Sequence, residues 1–583
     1  MQTLQALLAA IADQPFQCVQ QLRGRYHFPR FELNFIRLQG SPGANPASIA
    51  SVKITLRQAK IPALFLQSAD AKLALADFLI RRFRANIDRF AQQNRGKDGS
   101  GSFNTLALSQ KMLHRDSVLF DGAAILLRFS VSLPAKGSGG GVFDAEQAWL
   151  MLAQELPAMV DATFFYRHYD PQSQALLRQF AEVLQTRTEI SRFMRQQDLV
   201  VFIANGALLP RHSGIDERPA LYASATPFQS PARLQVSVPL PDGRSISGMG
   251  IKQGITCITG GGYHGKSTLM QAILAGVYAH IPGDGREYVV TRDDAFFIRA
   301  EEGRSIRHVD ISAFISDLPN GLKTADFSSD NASGSTSQAA AIVEAIDSGS
   351  RLLLFDEDTC ATNFLVRDEL IKKILDAAQE PIKPLYATVR SLWGQQQVSM
   401  IFVVGGLGYF LQKADTCLLM DNYLCRDITD KVRDKLGPIA QDDVPLGNFA
   451  QARCLAADNF NPAYTNQRLN KTVPKRIKDL RNAPKQLEYG MDLVNLEAVA
   501  QIAEAPQMLA IGYCLLALRT QLQQPDAKAK SIRFWIDWLE SEISAQGLDM
   551  LKAEYPGHLS MPRKYELAAA INRIRSLKIV RQG

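Results

Sequence analysis

The sequence predicts an α/β fold in which a mostly parallel sheet is covered by helices. Apolar strand-like segments such as "GITCIT", "RLLLFDED" and "VSMIFVVGG" alternate with helical ones between about residues 200 and 425. Earlier, the helical "SADAKLALADFLIRRFRANIDRFAQQ" mixes with the extended "VKITL", which is typical of an α+β segment. Later segments such as "IRFWIDWLESEISAQG" are mainly helical. We therefore expect three domains, at residues 1–195, 196–430 and 431–583.

Bulk composition indicates an ordinary globular protein with several hydrophobic cores. The chain has 583 residues, of which 46% are hydrophobic and 21% charged, and a net charge of +7 gives a mild preference for anionic partners. Its 7 cysteines are scattered without a Cys-x-x-Cys pair, which is typical of a reducing compartment. The start lacks a basic leader, and we find no run of about 18 apolar residues. We therefore expect a cytoplasmic protein that does not enter a membrane.

The stretch "GGGYHGKSTL" carries the strongest chemical signal. It follows the apolar strand "ITCIT" and precedes a helical pattern, and a hairpin turning at Asp242-Gly243 leads into that strand. In this context backbone N–H groups wrap phosphates, Lys266 neutralises them, and Ser267 ligates magnesium. The predicted ATP site comprises Gly260, Gly261, Gly262, Tyr263, His264, Gly265, Lys266, Ser267 and Thr268. For His264, a solvated side chain and a contact with phosphate or a partner subunit both stay open.

Two adjacent acids follow another apolar strand. "RLLLFDED" ends in Asp356-Glu357, 90 residues beyond Lys266. Asp356 is the candidate magnesium ligand, and Glu357 is the candidate catalytic base that orients and deprotonates the attacking water. Lys266 and Glu357 are thus the predicted catalytic residues.

A serine-rich segment lies between these motifs. Ser333-Gly334-Ser335 begins a helical run, and small residues at a helix N-terminus leave amides available for a phosphate. With "GMGIKQGITCITGGGYHGKSTLMQAI", "IRAEEGRSI", "FSSDNASGSTSQAAAIVEAI", "LLLFDEDTCATNFLVRDELI" and "VVGGLGYF", the sequence resembles the ATPases of the ABC class over roughly residues 20 to 425. The resemblance implies a P-loop NTPase domain of ABC type that binds Mg-ATP.

The resemblance also implies a head-to-tail homodimer, in which Lys266 of one copy faces Ser333-Gly334-Ser335 of the other across ATP. The chain departs from transporter cassettes, because "VSMIFVVGG" ends in two glycines where a switch histidine is expected. Glu301 or Glu302 is the candidate for the loop that couples nucleotide to client. Asn363 stands where the aspartate of the loop between subunits is expected.

Candidate nucleic-acid contacts fall in glycine-rich and basic segments. "NRGKDGSGSF" and "LPAKGSGGGVF" supply Arg95, Lys97 and Lys136, and "NKTVPKRIKDLRNAPK" has six cations against one acid, among them Lys475, Arg476 and Lys478. The alternatives are flexible linkers for the glycine-rich stretches and a solvated face for the basic run.

We expect a dimeric ATPase that clamps nucleic acid, RNA more than DNA. The sequence leaves two alternatives: an ATP-gated regulator or assembly factor with a protein client, and a small-molecule kinase. The segment at Ser333 argues against the kinase, because a kinase needs an acceptor pocket rather than a serine-glycine turn from a second subunit. Tyr222 and Phe228 are candidates to stack on the adenine.

Overall fold

The chain forms two compact units, each built from two separate stretches of sequence. The computed structural model describes residues 1–42, 47–92, 95, 99–136, 141–220, 225–316, 318, 321–367, 374, 380–442, 446, 452–466, 471–480, 482–525 and 530–581. One unit combines Met1–Gln185 with Gln546–Met561, and the other combines Thr186–Ala545 with Pro562–Gly583.

The first unit is an antiparallel sheet with helices. Its strands are β1 Gly24–His27, β2 Glu32–Arg37, β3 Ser48–Thr55, β4 Ser102–Asn104, β5 Lys111–Met112, β6 Val118–Asp121, β7 Ala124–Ser132, β8 Ala135–Lys136 and β9 Val142–Phe143. Its helices are α1 Gln2–Ala10, α2 Leu56–Ala59, α3 Ala69–Phe90, α4 Ala145–Leu150 and α5 Leu156–Phe164, followed by α6 Pro171–Gln196, which enters the second unit at Thr186. The main sheet has the order β1-β2-β3-β7-β4, with β6 also paired to β7, and α3 packs against α5.

The returning stretch Gln546–Met561 is held in the first unit by a buried carboxylate. Asp116 is 1% exposed and accepts hydrogen bonds from the backbone N–H of Gly557 at 2.6 Å and of Leu559 at 2.8 Å. Arg128 makes a two-pronged ion pair with Asp549, at 2.6 and 2.7 Å. Gly557 has φ +93°, and a Cβ there would lie 2.6 Å from the Cβ of Arg128, so only glycine fits.

The second unit contains the predicted parallel sheet. Its strands begin with β10 Leu199–Ala204, β11 Gln235–Pro239, β12 Ser245–Lys252, β13 Ile255–Gly260, β14 Ala279–His280, β15 Val289–Thr291, β16 Ala295–Ile298, β17 Arg304–Val309, β18 Phe327–Ala332, β19 Leu352–Asp356, β20 Ser399–Val403, β21 Thr416–Asp421 and β22 Leu424–Asp427. They continue with β23 Arg453–Leu455, β24 Tyr464–Asn466, β25 Lys471–Val473, β26 Ile477–Leu480, β27 Ala483–Tyr489, β28 Asp492–Asn495 and β29 Ile579–Arg581. Its remaining helices are α7 Lys266–Ala275, α8 Gly334–Asp347, α9 Thr362–Leu365, α10 Val389–Gln396, α11 Tyr409–Lys413, α12 Thr429–Leu436, α13 Pro506–Leu522, α14 Ile532–Gln546 and α15 Lys564–Asn572.

Six strands form the central sheet in the order β16-β19-β20-β13-β21-β22. The first five are parallel, and β22 returns antiparallel. Every residue of β19 and β20 is buried, as expected for strands covered on both faces. The predicted hairpin at Asp242-Gly243 joins β11 to β12 within a separate sheet, β11-β12-β10-β15. The expected α/β fold is thereby confirmed.

The end of the chain combines helices with strands. The helices α13, α14 and α15 agree with the mainly helical segment that the sequence predicts. Between them and the central sheet lie short strands, including the three-stranded antiparallel sheet β26-β27-β28, which packs against α13. These strands are short, and "NKTVPKRIKDLRNAPK" has no apolar alternation to reveal them.

We predict that Asp116→Ala lowers the free energy of unfolding of the first unit by about 3 kcal/mol, because it leaves two buried N–H donors without acceptors. Urea unfolding checks the change in stability. Hydrogen exchange at Gly557 and Leu559 localises it. Asp121→Ala is the control, since Asp121 is an exposed partner of Lys53 and its loss should have a much smaller effect. Equal stability of the two variants would contradict the structural role of Asp116.

Candidate functional site

The phosphate loop joins the end of β13 to the start of α7. Gly260 has φ +147° and Gly265 has φ +97°, conformations that favour glycine. A Cβ on Gly260 would lie 2.3 Å from the carbonyl oxygen of Met420 on the neighbouring strand. The glycines are therefore needed to let the loop turn closely past β21.

Lys266 lies folded across this loop. Its Nζ donates to the carbonyl oxygens of Gly260 and Gly261, each at 2.8 Å. Ser267 and Thr268 follow in the first turn of α7, where backbone N–H groups have no acceptor within the helix and the helix dipole is positive. A positive side chain and a helix N-terminus thus meet at one place.

A turn between β21 and β22 supports the loop from outside. His264 accepts a hydrogen bond at Nδ1 from the N–H of Asn422 at 2.9 Å, and its carbonyl accepts one from Tyr423. Tyr263, at the tip, has φ +61° and is 99% exposed. In this structure His264 holds the loop in shape, a role that the sequence alone did not suggest.

Asp356 and Glu357 lie at the carboxyl end of β19. Asp356 is 7% exposed and accepts a hydrogen bond from the N–H of Asp358 at 3.2 Å. Burial raises the pKa of Asp356, and the nearby positive charge of Lys266 opposes that rise. The two predicted motifs therefore meet at the same edge of the sheet.

The Glu357 carboxylate is held by three successive backbone amides after β20. Its Oε2 accepts from the N–H groups of Gly405, Gly406 and Leu407 at 2.7, 3.1 and 3.2 Å, and Gly406 also reaches Oε1 at 3.3 Å. These residues occupy the position after "VSMIFVV" where the sequence offers no switch histidine. The glycine pair was the available signal, because glycines permit consecutive amides to converge on an anion.

The serine-rich segment caps α8, as the sequence predicts. Ser333 is the N-cap, and its Oγ accepts from the N–H of Thr336 at 3.4 Å. Ser335 donates from Oγ to Oδ1 of Asn363 at 2.9 Å, which joins the start of α8 to the segment after Glu357. Gly334 lies 3.4 Å, measured from an ideal Cβ, from the Cβ of Ala300.

Glu301 contacts another part of the second unit. Its carboxylate pairs with Arg573 at 3.0 Å, and its N–H donates to Ser337 Oγ at 2.9 Å. Burial raises the pKa of Glu301, but the charges of Arg573 and Arg304 outweigh that effect and hold the pKa below its ordinary value. A role for Glu301 at ATP stays a prediction.

The predicted nucleic-acid residues have different surroundings. Arg95 is buried against Glu155 and Gln147, and Lys136 pairs with Asp13. Lys97 lies outside the described residues, and so does Tyr222. Phe228 is only 2% exposed, so it is too buried to stack on a base.

The basic run lies on the short strands near the end of the chain. Arg476 pairs with Glu488 at 2.7 Å and stacks 3.9 Å from the ring centre of Tyr464. The Nζ of Lys475 lies 5.8 Å from the ring centre of Tyr513, while Lys478 on β26 is exposed. Cations and aromatic rings therefore alternate over this patch of β24, β25 and β26, which we call the basic hairpin patch.

The donor set at the sheet edge fits Mg-ATP. Glycines with left-handed backbone surround a lysine and a helix N-terminus, which are the groups that bind phosphates, and Ser267 and Asp356 supply hard oxygen ligands. Over the part of the chain that the structure describes, no group of three or more His, Cys, Asp or Glu side chains forms another metal site. None of the described helices is both long and apolar enough to cross a membrane.

Comparison with protein families identifies three successive regions. Residues 1–167 match the N-terminal domain of the ATPases of the ABC class, and residues 173–443 match the P-loop domain of ABC ATPases. Residues 481–580 match the MRB1590 C-terminal domain. The C-terminal match includes much of the basic hairpin patch.

One curated relative is the uncharacterized protein MJ1628 of Methanocaldococcus jannaschii. It is 39% identical over 150 residues, or 25% of this chain, and the chain spans about a third of its length, 33%. Similar solved structures include cbiO1 of Clostridium perfringens, part of the ABC transporter complex cbiONQ, at 15% identity and a TM-score of 0.25 over 41% of this chain and 92% of that one. Another is a metal-chelate type ABC transporter in an inward-facing conformation, at 15% identity and a TM-score of 0.24 over 39% and 82%.

These TM-scores are too low to support an argument, so the assignment depends on the family matches and on the phosphate loop. The two matches of this class follow one another along residues 1–443, and the second contains Lys266, Asp356 and Glu357. The chain therefore belongs to the ATPases of the ABC class.

Proposed function

We propose that this chain binds Mg-ATP at the phosphate loop and hydrolyses it. The observation that carries the proposal is the Glu357 carboxylate, which three amides fix one residue beyond Asp356 at the sheet edge shared with Lys266. Held by Ser267 and Asp356, magnesium would neutralise phosphate charge.

The residues of the chain have separate roles in this reaction. Lys266 would exchange the carbonyls of Gly260 and Gly261 for phosphate oxygens, and the loop amides would wrap the same phosphates. Glu357 would accept a proton from the attacking water. A bond then forms between the water oxygen and the γ-phosphorus as the bond to the bridging oxygen breaks, and ADP leaves with that electron pair.

We further propose a head-to-tail homodimer with two composite sites. The start of α8 supports this proposal, because Ser333 and Gly334 are at the N-terminus of a helix of 14 residues, while Ser335 is tied to Asn363. Presented to a second copy, such a helix N-terminus would complete the phosphate cradle around Lys266 of that copy.

The client that we propose is nucleic acid, RNA more than DNA, clamped by closure of the dimer. The basic hairpin patch supports this, since it combines exposed Lys471 and Lys478 with the stacked pair of Arg476 and Tyr464. Cations bind a phosphate backbone and aromatic faces stack on unpaired bases. Arg95 and Lys136 contribute less, because each already has a carboxylate partner.

Glu357→Gln should reduce ATP turnover at least about 100-fold, because a general base contributes this much. It should retain ATP and stabilise the dimer, which size-exclusion chromatography with light scattering measures. Asp358→Asn removes an exposed neighbouring carboxylate and is the matched control. Normal turnover by a monomeric Glu357→Gln would show that Glu357 has been assigned wrongly.

Two inactive variants test the composite site when mixed. Lys266→Ala should lose ATP binding, whereas Ser333→Arg should bind ATP without hydrolysing it. A dimer of one chain of each kind has one intact site, so an equal mixture should recover about a quarter of wild-type turnover if two copies form each site. Steady-state hydrolysis measures the recovery. A mixture as inactive as its components would count against sites shared between copies.

Hydrolysis of ATP should respond to single-stranded RNA, and the response should fade from low to physiological salt. Lys471→Ala with Lys478→Ala should reduce the salt dependence of RNA affinity by about 0.7 per lost phosphate contact on a log–log plot. Lys53→Ala, in the first unit, is the control. Real turnover that no RNA or DNA alters would favour a protein client instead.

A further inference from the structure

An arginine lies beside the magnesium-binding strand, where the sequence analysis assigned no role. In the parallel pairing of β16 with β19, Ile298 lies opposite Phe355. The next residues, Arg299 and Asp356, therefore leave the two strands side by side. Arg299 is thus at the same sheet edge as Asp356 and Glu357.

The backbone around Arg299 is fixed on both sides. The N–H of Ala300 donates to the carbonyl of Thr359 at 3.0 Å, and the Cys360 thiol lies 3.8 Å from the carbonyl of Ile298, to which it donates. Thr359 and Cys360 follow directly after the turn that carries Glu357. Arg299 is therefore positioned relative to Glu357 by main-chain contacts.

The guanidinium of Arg299 lies above an apolar ring rather than beside a carboxylate. Its Cζ is 5.7 Å from the ring centre of Phe297, which is 4% exposed. The positive charge lowers the pKa of Asp356 and of Glu301, so it is close to the site. Arg299 is half-buried and makes no hydrogen bond or ion pair with any described residue, whereas Arg304 and Arg573 are both paired with carboxylates.

A half-buried, positioned guanidinium beside a phosphate site is suited to an anion that arrives with the substrate. Guanidinium groups bind phosphate oxygens through several N–H donors, and an arginine aimed at the transferred phosphoryl group stabilises its charge. The three amides that hold Glu357 have their acceptor already, so they do not supply this cation.

We propose that Arg299 is a further catalytic residue, whose guanidinium donates hydrogen bonds to the γ-phosphate of ATP bound by the same chain. Arg299 neither gains nor loses a proton. As the bond from the water oxygen to the γ-phosphorus forms and the bond to the bridging oxygen breaks, the water proton passes to Glu357 and ADP departs. The proposal rests on the proposed hydrolysis of ATP.

Nucleotide binding tests this role apart from turnover. In Arg299→Ala, affinity for the non-hydrolysable analogue AMP-PNP should fall about 10-fold or more, while affinity for ADP, which has no γ-phosphate, changes less than about 2-fold. Turnover should fall at least about 100-fold. Arg218→Ala, which removes an exposed arginine paired with Asp216, is the control and should change neither affinity.

Equal losses for AMP-PNP and ADP, or no loss for either, would overturn the role of Arg299. Arg299→Lys keeps a positive charge and should show a smaller shift in the same AMP-PNP to ADP ratio; an unchanged ratio in that variant would also overturn it if Arg299→Ala fails to fold. Absence of hydrolysis by the wild-type chain would instead reject the proposed function, and the binding ratio would still decide whether Arg299 meets the γ-phosphate.

Discussion

Three consecutive amides and one carboxylate hold the candidate active site together. The bond set between Glu357 and Gly405–Leu407 is available only because β19 and β20 are parallel neighbours, so that both end at the same edge of the sheet. Parallel order also brings β13 beside β20, which places the phosphate loop next to these groups. Backbone amides are already oriented before any ligand arrives, and preorganised dipoles of this kind reduce the reorganisation that a reaction requires.

The sequence predicts the parts of this site that depend on local chemistry. The phosphate loop, Asp356 and the cap at Ser333 follow from short patterns whose physical purpose is local, and the order of the sheet follows from alternating strands and helices. Contacts across the sheet cannot be obtained in this way. "VVGG" looks like the end of a strand with a missing histidine, and only the pairing of β19 with β20 shows that its amides meet Glu357.

Charge pairing explains why other candidates were harder to place. Glu301 looked available near the nucleotide, yet it pairs with Arg573, which is more than two hundred residues away in the chain. Arg304 pairs with Glu344 on α8, and Arg453 pairs with Asp347 at 3.3 Å. Breaking a buried pair leaves an uncompensated charge, so these contacts link the orientation of α8 to the strands and helices near the end of the chain. Sequence spacing gives no information about such distant partners.

The return of Gln546–Met561 to the first unit has a consequence for how the protein is made. Gly557 and Leu559 complete the hydrogen bonds of Asp116, so they must be present before that unit is complete. During synthesis, residues 1–185 leave the ribosome long before these partners do. The first unit to be translated is therefore among the last to finish folding, and for most of translation the buried carboxylate of Asp116 waits for amides that have not yet been synthesised.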